Sequence, residues 1–219
     1  MATIRRRTED QLIETYRVSL MNVENQTEIA TTMAEYGYDL ATITKGRELL
    51  GATITAFNFN QQEDNETIQA RSDFDVKVSL MTEKYASHRR KAKVAFRKDD
   101  VTMKQLGLTG SYSRAYVKWI ATMKTFYSGV RSNAAHLAKL LVFKITEDEI
   151  TACITEINAL ETTRTLYLKE VGESQEATKA KDKALAELEE WMSDFYAVAK
   201  IAMEDKPQLL ESLGLLVRS

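Results

Sequence analysis

Apolar residues recur along this chain at alternating steps of four and three. Phe74, Val78, Met81, Tyr85, His88, Ala92 and Ala95 form one such seam, and Tyr112, Tyr116, Trp119, Met123, Phe126, Val130, Leu137 and Leu141 form another, with Asn133 as a polar break. A third runs through Leu40, Ile43, Leu50, Ile54 and Phe57, broken by Arg47. Steps of this size put one stripe of a helix into a core, whereas a strand needs a period of two, which these segments lack. Thr8 with Gln11 and Thr146 with Glu149 fit capping boxes, and Asp39, Asn65, Ser111 and Ser174 are further candidate caps. The pattern predicts an all-α chain of six long helices, over 9–35, 40–62, 66–98, 112–143, 147–170 and 175–204. Two short helical turns end at Gly107 and Gly214, where glycine suits the left-handed position after a helix. Pro207 is expected to open the second of them.

The pattern also repeats. Ala92 to Leu108 aligns without a gap on Ala199 to Leu215, and six of the seventeen pairs are identical, the closing Leu-Gly-Leu among them. Unrelated helices would share about one. The same offset of 107 carries Leu12, Ile13, Tyr16, Val23, Ala30 and Met33 onto Trp119, Ile120, Met123, Val130, Leu137 and Leu140. These matches predict a tandem duplication of a three-helix unit, residues 1–108 and 109–219. The expected packing is an elongated helical bundle with approximate two-fold symmetry, residue i superposing on i+107.

Composition narrows the functional classes. One Pro and eight Gly in 219 residues leave few breakers, consistent with long helices. Thirty basic against thirty-two acidic side chains give a formal charge of −2, so the overall field favours neither nucleic acid nor an anionic membrane. No run of about 18 apolar residues occurs, and acidic Glu9 and Asp10 follow Arg5, Arg6 and Arg7 where a signal peptide needs an apolar stretch. A single cysteine, Cys153, permits no internal disulfide and fits a reducing compartment. The expected location is cytoplasmic.

Catalytic and cofactor motifs are missing. The glycines are scattered singly, which excludes a phosphate-cradling loop. Neither His88 nor His136 sits in a His-Glu-x-x-His or Glu-x-x-His pattern, so no metal site and no cofactor are expected. Glu147, Asp148 and Glu149 could hold a hard cation, but stabilising the positive end of a helix explains them fully. His88 is read as a core or rim histidine, matched by Phe195 in the other half, so that His88→Phe should be tolerated. Cys153 is read as a small buried apolar side chain, because no neighbouring motif activates it.

One stretch departs from its own repeat. Lys84 to Lys98 carries seven basic side chains in fifteen positions and no acid, Arg89, Arg90, Lys91, Lys93 and Arg97 among them. The equivalents of the first three are Tyr196, Ala197 and Val198. The seam places the basic residues outward, so they are expected to be exposed and Tyr196 to Val198 covered. A solvated helix end is one reading of the strip and a polyanion site the other.

The closing strings GESQEATKAKDKAL, EEWMSDF and EDKPQLLESLGLLVRS resemble the end of an all-helical bacterial protein family of unassigned function. The resemblance covers about the last third of the chain and implies a bacterial cytoplasmic origin, with no activity or site. The sequence reading is therefore a non-enzymatic structural or protein-interaction module that docks a protein partner or a second copy. Nucleic-acid or other polyanion binding through Arg89 to Arg97 is its alternative.

Overall fold

A computed structural model describes residues 7–215; Arg5, Arg6 and the end of the closing string lie outside them. Helix accounts for 82% of the described residues, and no strand occurs among them. The elements are α1 (Glu9–Asn25), α2 (Thr27–Glu35), α3 (Leu40–Ala95), α4 (Asp100–Gln105), α5 (Tyr116–Arg131), α6 (Ala134–Leu141), α7 (Glu147–Ala202) and α8 (Leu209–Ser212). None of these helices is long and apolar enough to cross a membrane.

Helix starts follow the capping chemistry. The Gln11 N–H donates to Thr8 Oγ1 at 3.3 Å while Gln11 Oε1 accepts from the Thr8 N–H at 3.1 Å. Thr146 and Glu149 exchange the same pair of bonds at the head of α7, so Glu149 is engaged as a cap. Asp39 accepts the Thr42 N–H ahead of α3, and that bond holds its carboxyl below the usual range.

The expected set of six long helices is corrected in two ways. No break occurs near 62–66 or 170–175, since α3 and α7 each continue for 56 residues. Asn65 and Ser174 lie inside them, and Ser174 donates to Asp64 Oδ1 at 2.6 Å instead of capping a helix. Polar caps end helices only when the backbone also turns, and nothing in either stretch forces a turn. Breaks fall instead at Gln26 and at Ser132–Asn133, where Asn133 Oδ1 accepts the N–H groups of Ala135 and His136 to start α6. The restart shifts the register, so Leu140 is buried and Leu141 exposed. In α3 the seam passes through Thr53 instead of Ile54, the Thr53 hydroxyl lying 2.9 Å from the Leu49 carbonyl oxygen and 3.0 Å from that of Ala184. Leu40 is exposed. Pro207 stands in the turn just ahead of α8.

The backbone carries the offset seen in the sequence. Helices α5, α6 and α7 begin at Tyr116, Ala134 and Glu147, each displaced by the same offset of 107 from Glu9, Thr27 and Leu40, where α1, α2 and α3 begin. Positive φ occurs at Gly37 and Lys144 and again at Gly107 and Gly214, both pairs at that offset. The closing bonds match as well: Leu108 N–H donates to the Met103 carbonyl at 2.8 Å, and Leu215 N–H to that of Leu210 at 3.1 Å.

Two compact units result, one from the described parts of Met1–Asp64 and Glu173–Ser219, the other from Asn65–Gly172. The division runs through α3 and α7, so each unit draws one segment from each sequence half. The first unit buries Leu20, Met33, Ile43, Leu188, Phe195 and Leu213 together. The second buries Tyr85, Met123, Phe126, Leu140, Ile150 and Leu106. Burying one such side chain contributes about 1.5–3 kcal/mol, which is why the two seams dominate over local propensity.

Candidate functional site

All three candidate sites lie in the second unit: the basic strip, a buried polar cluster and an aromatic cleft. The strip near the C-terminal end of α3 is not the uniform outward face that heptad spacing implies. Arg90 and Arg97 are exposed and Lys91 and Lys93 half-buried, but Arg89 is only 5% exposed. Its guanidinium donates to the carbonyls of Gly107 (2.6 Å), Leu108 (3.1 Å), Thr109 (3.5 Å) and Gly110 (2.9 Å). It also stands 5.5 Å from the Tyr112 ring centroid. A long side chain leaving the flank of the seam has curled under the chain to satisfy the loop after α4. Arg89 is therefore withdrawn from the polyanion candidates. Lys93 reaches the Gly110 carbonyl at 3.4 Å from the rim. Arg90, Lys91, Arg97 and Lys98 have no ion-pair partner among the described residues. The contrasting stretch in the first unit is also corrected: Tyr196 and Val198 are half-buried and Ala197 is exposed.

The first unit ties down its corresponding end differently. There the Leu213 carbonyl accepts from Ser19 Oγ at 2.7 Å and the Ser212 carbonyl from Asn22 Nδ2 at 2.6 Å, with Tyr196 OH 2.6 Å from Ser19 Oγ. The residues 107 positions beyond Ser19 and Asn22 are Phe126 and Gly129, which have no donor side chain. Arg89 instead holds the carbonyls of the stretch that follows, Gly107 to Gly110.

His88 is buried, as the seam predicts, but not as an isolated core side chain. Its Nδ1 lies 3.1 Å from Tyr127 OH and 4.0 Å from Cys153 Sγ, and the Tyr127 hydroxyl also hydrogen-bonds the thiol. The sequence gives no sign of this cluster, whose members lie on three different helices, α3, α5 and α7. The positions 107 away hold Phe195, Leu20 and Gly46, none of which matches it in chemistry. Burial is the main cause that pushes the His88 imidazole below its ordinary value, with Glu149 opposing and Lys91 assisting. Burial likewise pushes the Cys153 thiol up, against the Tyr127 bond and Lys84. Neutral imidazole beside neutral, enclosed thiol is the reverse of an activated nucleophile.

The cluster changes the expectation for His88→Phe. That substitution leaves the fully buried Tyr127 hydroxyl with only the weakly bonding thiol beside it and should cost about 1–3 kcal/mol. His88→Phe with Tyr127→Phe removes both ends and should recover most of the loss in denaturant titrations; equal losses would mean that the bond contributes nothing. The pH dependence has a definite sign. Because the folded-state value lies below the unfolded one, the unfolded chain binds the extra proton. Stability from this group is full above the ordinary histidine value near 6.5 and falls as pH drops through the window below it. His88→Phe should flatten that slope.

A cleft of about 450 Å³ is lined by Phe74, Val78, Tyr112, Tyr116, Trp119 and Arg164, with Asp75, Thr82 and Arg114 at its polar parts. Phe74 stacks on Tyr167 at 6.0 Å, and the Arg164 guanidinium lies 4.0 Å from the Tyr116 ring centroid. Period alone assigns these aromatics to the core seams, because it cannot tell a filled stripe from the wall of a cleft.

No family model, curated protein or solved structure matches the chain.

Proposed function

We propose that this chain is a non-enzymatic helical interaction module, made by duplication of a three-helix unit over 1–108 and 109–219 and working in a bacterial cytoplasm. The recurrence of helix starts, positive-φ positions and closing bonds at one constant offset supports the duplication. Inertness of the cysteine–histidine pair supports a role without covalent catalysis.

The observation that carries the interaction reading is an apolar row on α3. Ile68, Val76 and Leu80 are 67%, 55% and 61% exposed and fall on one face of the helix, interleaved with Ser72 and Ser79. Scattered apolar side chains on a surface are ordinary, but a row at helical spacing is what a docking helix reads. A tagged chain should retain a protein partner, or a second copy, through nuclease treatment and high salt. Val76→Glu with Leu80→Glu should abolish that retention while leaving the circular dichroism spectrum unchanged. A chain that stays monomeric and captures nothing overturns the reading.

Polyanion binding stays as a second reading because Arg90, Lys91, Arg97 and Lys98 have no carboxylate to answer them. It predicts capture that nuclease removes and that weakens by orders of magnitude between about 50 and 200 mM salt. Arg90→Glu, Arg97→Glu and Lys98→Glu together should then abolish it.

A further inference from the structure

We propose that the cleft bearing Arg164 binds a small planar aromatic ligand carrying one anionic group, the ring lying among Phe74, Tyr116 and Trp119 and the anion on the guanidinium. This goes beyond the interaction reading and rests on the repeat only for an internal comparison.

Arg164 is half-buried, 4.0 Å from the Tyr116 ring centroid and 6.0 Å from that of Phe74. It has no hydrogen bond or ion pair among the described residues. The two acids nearest to it in the sequence and along the cleft are engaged elsewhere: Glu161 with Lys124 at 2.8 Å and Asp75 with Arg71 at 3.4 Å. A guanidinium offers five N–H donors in a planar fork suited to a carboxylate, sulfonate or phosphate, and desolvating it without an acceptor is costly. The Tyr116 hydroxyl is also buried without a hydrogen-bond partner. An anion bound here would satisfy the cation, and aromatic walls favour a flat apolar body attached to it. The volume is within the range of about 300–1,000 Å³ typical of small-molecule sites.

The first unit marks what is missing. The repeat equivalents of Phe74, Arg164 and Tyr116 are Lys181, Phe57 and Glu9. Ring and cation have changed places there, with Lys181 5.1 Å from the Phe57 centroid, and Glu9 Oε2 accepts from Lys181 at 2.7 Å. That unit carries two carboxylates on the cation, Asp182 at 3.3 Å being the second. The second unit has Tyr116 where Glu9 would stand, and its remaining equivalent acid, Asp75, is paired with Arg71 at 3.4 Å, so no carboxylate among the described residues lies on the Arg164 guanidinium. The ligand's anionic group takes the place of the Glu9 carboxylate.

The test uses two dyes of nearly the same shape on the full chain. 1-Anilinonaphthalene-8-sulfonate carries the anion, and N-phenyl-1-naphthylamine lacks it. The sulfonate should bind saturably at one site per chain. Arg164→Gln should weaken it by about tenfold or more, the loss expected for a charge-assisted contact, while the neutral dye changes less than about twofold. Tyr116→Glu, which installs the first unit's carboxylate, should exclude the sulfonate in the same way. Thermal melts of both variants identify any that fail to fold. Arg164→Lys then serves in place of a misfolded Arg164→Gln, and should retain more sulfonate affinity than Tyr116→Glu. Absence of saturable sulfonate binding, or equal loss of both dyes in folded variants, overturns the proposal. Partner capture by the α3 row is read separately, so failure of one proposal does not imply failure of the other.

Discussion

Replacing Arg89 with methionine should lower the stability of the protein by about 3 kcal/mol, whereas Arg90→Met, at the adjacent position, should change it by less than about 0.5 kcal/mol. The difference comes from what each side chain touches. Arg89 donates to four carbonyls of the loop after α4, and methionine fills much of its volume without a donor. Losing the cation's bonds leaves the buried Leu108 oxygen unpaired and removes three part-buried contacts that fix the loop. For a chain of this length the loss corresponds to a fall of roughly 6–12 °C in the melting midpoint. Arg89→Lys should lie between, since a single ammonium cannot span the carbonyls that the planar fork reaches together. Arg89→Tyr should not rescue the site even though Tyr196 occupies the matching position. In the first unit Tyr196 acts through Ser19, and the second unit has Phe126 there. If Arg89→Met and Arg90→Met melt together within about 1 °C, well inside the shift expected for a loss of this size, the carbonyl cage contributes nothing to stability.

Arg89 also marks where sequence reading stops. Heptad spacing places a Cα on a flank correctly, but says nothing about where a long side chain ends. Arg89 reaches the loop from Gly107 to Gly110, beyond the end of its own helix, and that loop's position depends on how α4 packs. Seams behaved differently because burial of whole apolar faces is a sum over many residues: Met81, Tyr85, His88 and Ala92 are all buried as the period requires. Helix ends lay between these extremes. Asn133 starts a helix and Asn65 does not, though both are good caps, because a cap acts only where tertiary packing already turns the chain. The polar cluster of His88, Tyr127 and Cys153 was illegible for another reason. Its members share no motif, and only comparison with Phe195, Leu20 and Gly46, 107 positions away, shows that all three differ in type. The cleft was hidden in the same way, since Phe74 and Arg164 stand 107 positions from Lys181 and Phe57, with ring and cation in the opposite order.

Gly46→Ala should destabilise the first unit by about 1–3 kcal/mol, although the same exchange in an open helix stabilises by roughly 0.5–1 kcal/mol. Gly46 is buried in α3, and a methyl group there would meet the Trp191 ring, 2.6 Å from Cζ3 and 2.8 Å from Cζ2. Such an approach is well inside van der Waals contact, so the indole must move. It is not free to do so, because it stacks on Phe195 at 5.6 Å and takes the edge of Tyr38 at 5.6 Å. The ring would have to leave both partners, which outweighs the helix-propensity gain. Gly51 in α3 and Gly172 in α7 supply the control, since nothing lies within 4 Å of a methyl group at either position. Gly51→Ala and Gly172→Ala should therefore raise stability by the propensity difference alone. The second unit tolerates a larger residue at the matching place, Cys153, because Lys84 stands where the first unit has Trp191. Trimming the indole should accordingly relieve the clash: Gly46→Ala with Trp191→Phe should cost less than the sum of the two single changes in denaturant titrations. Strict additivity, or a Gly46→Ala variant as stable as Gly51→Ala, would show that Trp191 yields freely and that the aromatic stack does not hold it.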